Sequence, residues 1–160
     1  MKKTFLAVLM AALLLLPSCG EQAPVYRTDL SAEAVSDACT PVLSSADLLS
    51  AADPDYIQYR LLLDDTMMEN CVVYIQNAGT SLDEFGIIKA LTDDTSALEA
   101  AVADFLTRRN EEWTGQYMVE EYPKLEAAEY KTIGRYVIYA ILSEEDKAAF
   151  FAAAEQFIAE

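Results

Sequence analysis

From residue 30 onward the apolar positions follow two periods in turn. Leu30, Ala34, Val35, Ala38, Cys39 and Val42 recur at three- and four-residue spacing, the stripe of an amphipathic helix. Asp29 or Ser31 can cap its start, and Pro41 should end it near Thr40. Ser44 to Ala52 carries no clear period and reads as loop or a short turn. Asp53-Pro54 is a helix start, an N-cap followed by proline in the first turn, and predicts a short helix to about Leu62, closed off by Asp64-Asp65. From Asn70 to Gln76 the period changes to two. Cys71, Val73 and Ile75 fall on one face of a strand, and after the turn residues Asn77 to Ser81 a second strand runs from Glu84 to Leu91, with Phe85 and Ile87 on one face.

Thr92-Asp93-Asp94 opens the longest helical stretch, about Asp94 to Trp113, with the stripe Leu98, Ala101, Val102, Phe105, Leu106, Arg109 and Trp113 and a stop at Gly115. Met118 to Glu126 is less regular and broken at Tyr122-Pro123. Ala127–Ile133 and Arg135–Leu142 read as two strands joined at Gly134. The second is apolar on both faces, which marks a central strand. Ser143 and Glu144-Glu145-Asp146 open a last helix with Phe150, Phe151, Ala154, Phe157 and Ile158 inward. Two hairpins separated by a helix and followed by another predict an α+β two-layer sandwich. Its antiparallel sheet has about four strands, with helices packed mainly on one face.

The first residues obey neither period. Lys2 and Lys3 precede an uncharged run from Thr4 to Leu16, about 13 residues and shorter than the roughly 20 a membrane-spanning helix needs. This is the pattern of a secretory signal. It ends in Leu16-Pro17-Ser18-Cys19, which resembles the lipobox of bacterial lipoproteins, where the cysteine thiol receives diacylglycerol and becomes the mature N-terminus. The expected division is a signal peptide over 1–18, a lipidated Cys19 with a tether over 19–29, and one α+β domain over 30–160. Lipidation at Cys19 would place the chain on the outer face of a bacterial cytoplasmic membrane, or in the outer membrane of a diderm source, with the lipid as its membrane partner.

Charge narrows the function classes. The chain carries 11 Lys and Arg against 27 Asp and Glu, a net charge of −16, and no histidine. Imidazole-dependent triads and His-ligated zinc or haem are excluded. Nucleic acid is an unsuitable partner because phosphate contacts need clustered cations. An acidic body is also repelled by an anionic leaflet. With Cys19 assigned to lipid, Cys39 and Cys71 form a candidate disulfide, since translocated proteins can oxidise. The alternative is two buried free thiols packing as small hydrophobes.

Glu84-Phe-Gly-Ile-Ile-Lys-Ala90, the long helix reaching Arg108-Arg109, Tyr122-Pro123, and Lys131-Thr-Ile-Gly134-Arg-Tyr136-Val137 resemble, in that order, the landmarks of a bacterial lipoprotein family. It is catalogued as domain of unknown function 4358 and is common in clostridia and their relatives. The resemblance spans about residues 30–158. It implies a single small domain at the cell envelope and supplies no activity and no catalytic residues.

Carboxylates are abundant, but Asp53 with Asp55, Asp64-Asp65 with Glu69, and Asp93-Asp94 lack the spaced loop a calcium site requires, and helix capping accounts for most of them. No metal, no cofactor and no catalytic residue is assigned. Trp113, Tyr117 and Tyr122, in the irregular stretch after the long helix, are the candidate binding surface, since such rings offer a rigid face with a polar tip. Arg109 continues the apolar stripe yet is too polar for a core unless paired. It is read as a buried anchor, the alternative being a groove border. The function expected is a lipid-anchored extracytoplasmic module that binds a protein or envelope partner without catalysis. The alternative is a small-ligand or cation-binding lipoprotein, with a carboxylate-based envelope hydrolase third.

Overall fold

The computed structural model describes residues 24–159 other than 64, 77–78 and 114–117. The predicted signal peptide, Cys19, Asp64, Gly115 and Tyr117 lie outside the described residues. The first helix, α1 (Ala32–Cys39), is capped by Ser31, whose hydroxyl accepts from the Ala34 amide. Pro41 ends it through a tight turn over Thr40–Val42. That turn rotates the chain, so Leu43 enters the core while Val42 is exposed, reversing the expectation for Val42.

The stretch expected as loop before Ala52 contains a three-residue strand, β1 (Leu49–Ala51). Asp53 accepts from the Asp55 amide and opens α2 (Pro54–Tyr56), which widens into a π-helical turn over Ile57–Leu61. That turn ends at Leu62 with φ 60°, a left-handed conformation costly for a branched side chain. Then come β2 (Met68–Gln76), β3 (Glu84–Ala90), α3 (Ser96–Glu111), α4 (Tyr122–Glu126), β4 (Glu129–Ile133), β5 (Tyr136–Ile141) and α5 (Glu144–Ile158).

The sheet has five antiparallel strands in the order β1-β2-β3-β5-β4, so the two expected hairpins are joined along β3 and β5. Both are buried along their whole length, as the apolar character of β5 on both faces required. The short β1 adds a fifth strand, pairing Leu49 with Gln76 and Ala51 with Tyr74.

The fold is the expected α+β type, an open antiparallel sheet with its main helical layer, α1 and α5, on one face. There Ala32, Val35, Cys39, Phe150, Phe151, Ala154 and Ile158 close over Phe85, Ile87, Tyr136, Ile138 and Ala140. The opposite face carries a second apolar cluster. Val73, Ile88, Val137 and Tyr139 meet Leu98, Val102 and Phe105 of α3, with Leu61 and Leu63 from the turn after α2. This second layer was hidden in the sequence because the stripe of α3 does not show which sheet face it covers.

The chain is also fastened before α1. Tyr26 bridges to Ala159, the Arg27 amide donates to the Ile158 carbonyl at 2.8 Å, and the Tyr136 hydroxyl donates to the Leu30 carbonyl at 2.8 Å. Residues read as the end of a tether are thus docked from Tyr26 onward.

Candidate functional site

The polar groups converge where β3 begins. Its first residue, Glu84, faces α3 and is only 2% exposed. Such a carboxylate must be satisfied internally. The Tyr139 hydroxyl of the neighbouring β5 donates to Glu84 Oε1 at 2.8 Å, and the Tyr56 hydroxyl of α2 donates to Oε2 at 2.9 Å. Arg109, in the last turn of α3, completes the set with Nη2 donating to Oε2 at 3.3 Å. Four elements thus meet on one carboxylate.

Local sequence explains how they meet. Gly86 pairs with Tyr139 across the β3–β5 ladder, and a Cβ at 86 would lie 2.1 Å from Tyr139 Cε1. Only glycine leaves the ring room to lie across the strand and reach Glu84. The ring is held from the other side by Phe105, edge-on at 5.3 Å between centroids. Arg109 follows Phe105 on the same helical face, as the stripe required.

Burial pushes the Glu84 pKa above its ordinary value, while Arg109 and the two hydroxyls act in the opposite direction. Burial, with the Glu84 charge adding to it, raises both tyrosines, Tyr139 well above its usual range. Their hydroxyls therefore act as hydrogen-bond donors at neutral pH.

A second ionic group adjoins the first. Lys124 Nζ lies 2.7 Å from both Asp83 Oδ1 and Glu121 Oε2 and donates to Ser81 Oγ at 3.0 Å. Glu121 also accepts from the Ser81 hydroxyl at 2.6 Å and from the Leu82 amide at 3.1 Å. Burial works against charge at Glu121, but Lys124 and these donors outweigh it and hold its pKa low. A cavity of about 200 Å³ opens between the two groups, lined in part by Tyr56, Arg60, Gln76, Ser81 and Arg109.

The sequence-predicted residues divide as follows. Arg109 sits beside the buried Glu84. Trp113 and Tyr122 stack at 6.1 Å between centroids and 18° between planes, and the Tyr122 hydroxyl donates to Asn110 Oδ1 at 3.3 Å. Cys39 and Cys71 are free thiols. Cys39 packs under α1 and Cys71 against the cluster on the other face, so the sheet separates them and the candidate bridge is not made. Burial raises each thiol to a pKa of about 12. Among the described residues no group of three or more potential ligands is arranged to hold a metal ion.

Glu84, Tyr56, Tyr139 and Lys124 were not recognised as a site from sequence. The one available signal was a carboxylate at the head of an apolar strand together with an arginine on an apolar helix stripe, two misplaced charges that satisfy each other. The landmarks around Glu84, Gly86, Arg109 and Gly134 are the positions that build this network and its opposite turn.

The family described as Domain of unknown function (DUF4358) matches residues 43–142. The chain belongs to that family. The match is narrower than the resemblance read from sequence. It covers all five strands and α3 but leaves out α1 and α5, so the DUF4358 match holds the Glu84 network entire and omits the main helical layer. No curated protein and no solved structure matches the chain. No helix among the described residues is long and apolar enough to cross a membrane.

Proposed function

We propose that this DUF4358 protein is a lipid-anchored extracytoplasmic domain that binds a protein or envelope partner without catalysis. The observation that carries the reading is how much of its buried polar network is spent on internal bonds. Both Glu84 oxygens are occupied by hydroxyl and guanidinium donors, and Lys124 is occupied by Asp83, Glu121 and Ser81. A general acid or base needs a free valence within reach of substrate. Glu84 and Lys124 spend theirs on internal partners, and Arg109 Nε, buried without a partner, belongs to a guanidinium that does not give up its proton. They fix the end of the fold on which Trp113 and Tyr122 stack, and a rigid aromatic pair there suits a recognition surface. The anchor is read from Lys2, Lys3, the apolar run and Cys19.

Cross-linking in intact cells followed by affinity recovery tests the binding role. Trp113→Ala should lose the partner while Glu84→Gln, if folded, retains it. Loss of a turnover activity in Glu84→Gln with partner recovery intact would defeat the non-catalytic reading. Mass spectrometry of the mature protein should find a diacylglyceryl cysteine at position 19, and Cys19→Ala should block processing. An unmodified thiol or an intact Met1 would refute the anchor.

The cavity beside Arg60 and Arg109 supports small-ligand capture as the second reading. Saturable stabilisation by a small solute, absent in Arg60→Ala, would favour it.

A further inference from the structure

We propose, on the lipid-anchored reading above, that the domain stands on the membrane in one polarity. The Gly134 turn faces the anchor, and the Glu84 end with the Trp113–Tyr122 stack faces outward, away from the bilayer.

The polarity is set by where the chain is fastened. Tyr26 bridges to Ala159 just beyond the end of α5, and its side chain lies against Gly134, where an added Cβ would sit 2.8 Å from Tyr26 Cβ. Arg27 donates its amide to Ile158 and lays its guanidinium 5.9 Å from the centre of the Phe157 ring. Counting from Cys19, about seven peptide steps reach Tyr26, a span of at most ~25 Å. The end of the sheet where β4 turns into β5 is therefore the end from which the chain leaves toward any lipid on Cys19.

Strand register places everything else along that axis. Lys89 pairs with Tyr136 at the anchor end, while Glu84 pairs with Ile141 at the other. The five steps between them amount to roughly 17 Å of sheet. Helix α3 starts just after β3 leaves the anchor end and runs 16 residues, ~24 Å, toward Glu84. Its exit delivers Trp113 to the outer end, where Tyr122 meets it. Helix α5 runs the opposite way, with Ser143 outward and Ile158 at the anchor. The acidic balance of the mature chain, which keeps all 27 Asp and Glu but loses Lys2 and Lys3, holds the body up off an anionic leaflet, so that the point of attachment decides which end stands nearer it.

Trp113 is the chain's single tryptophan, so the outer end already carries an optical reporter. The test couples the mature chain, Cys19–Glu160, through Cys19 to a maleimide lipid in vesicles doped with a dansyl headgroup lipid. Cys39 is buried in the core and Cys71 is replaced by Ser, so that coupling is confined to Cys19. Energy transfer from Trp113 is compared with transfer from Val25→Trp and Leu91→Trp, each in a Trp113→Phe background. Val25 and Leu91 are 62% and 45% exposed, so both positions tolerate the ring, and Leu91 follows β3 at the anchor end, away from the attachment strand. Expected is transfer from both Val25→Trp and Leu91→Trp at least twofold greater than from Trp113. Any other ranking, in particular equal transfer from Leu91→Trp and Trp113, overturns the polarity. Because the lipid is attached chemically, this outcome is independent of native acylation, which the mass spectrum of the mature N-terminus reads separately.

Discussion

Gly86→Ala tests the architecture at its tightest point. The new methyl would lie 2.1 Å from Tyr139 Cε1 and 2.8 Å from Cζ, well inside contact distance. The ring has nowhere to go. Tyr139 is 0% exposed and is backed by Phe105. Forcing a methyl into such a core costs about 1–3 kcal/mol. Displacing the ring also withdraws its hydroxyl from Glu84, and a hydrogen bond to a buried charged group contributes about 1.5–3 kcal/mol. The two effects together give about 2.5–6 kcal/mol, a large part of the roughly 5–15 kcal/mol that holds a domain folded. With a urea slope near 2 kcal/mol per molar, the midpoint should fall by about 2 M. Tyr139→Phe removes only the hydroxyl and should cost about 1.5–3 kcal/mol. In the double variant the shared hydrogen bond can be lost only once, so the combined cost should fall short of the sum by a similar amount. A Gly86→Ala midpoint within 0.2 M of wild type, or strict additivity in the cycle, would refute the reasoning.

Arg109→Ala should destabilise by on the order of 3 kcal/mol at pH 7, because it strands a buried carboxylate. Glu84 already has a raised folded pKa, and such a group's stabilising contribution is complete below its unfolded value and lost as pH rises through the folded one. Removing Arg109 raises that folded value further, so the gap to wild type in urea melts should narrow on acidification; a constant gap would count against the pair. Lys124→Met should cost about 2 kcal/mol in the same assay, since Asp83 and Glu121 lose a charged donor, and a near-wild-type midpoint would show the cluster to be surface decoration. Cys39, buried in the core, should resist alkylation at pH 8 until the chain is unfolded in urea, and half-buried Cys71 should label more slowly than a free thiol; rapid labelling of Cys39 in the native state would contradict its burial.

The sequence was most informative where one residue decides one local event. Ser31, Asp53 and Ser143 cap their helices through their own side chains. The doubly apolar β5 lies inside the sheet because an edge strand would expose one of its rows. β1 was missed because three residues carry no period; its existence depends on the edge of β2. The second helical layer was missed for a related reason, since α3 has the same stripe whichever face it covers. The Glu84 network joins residues 56, 84, 109 and 139, and nothing local encodes those distances. Its one trace in the sequence was a pair of misplaced charges, Arg109 on an apolar helix face and Glu84 at the head of an apolar strand. The two readings of the cysteines could not be separated in sequence, because nothing local says which side of a sheet each thiol occupies; the structure has them as free thiols.

The strand order carries a kinetic consequence. β2 and β3 are joined by a short turn and can pair as a local hairpin, as can β4 and β5; β1 joins β2 across α2 and the turn after it. The seam between β3 and β5 is the longest-range pairing in the sheet, since α3 and α4 intervene between Ala90 and Tyr136. Neither half can bury both faces alone, and closing the intervening loop costs entropy before any pairing offsets it. Collapse of the chain therefore converges on one zipper, the one that also brings Tyr139 over Gly86 to Glu84. Amides along that zipper should be the last protected during refolding and, once the two halves are joined, among the slowest to exchange in the native protein.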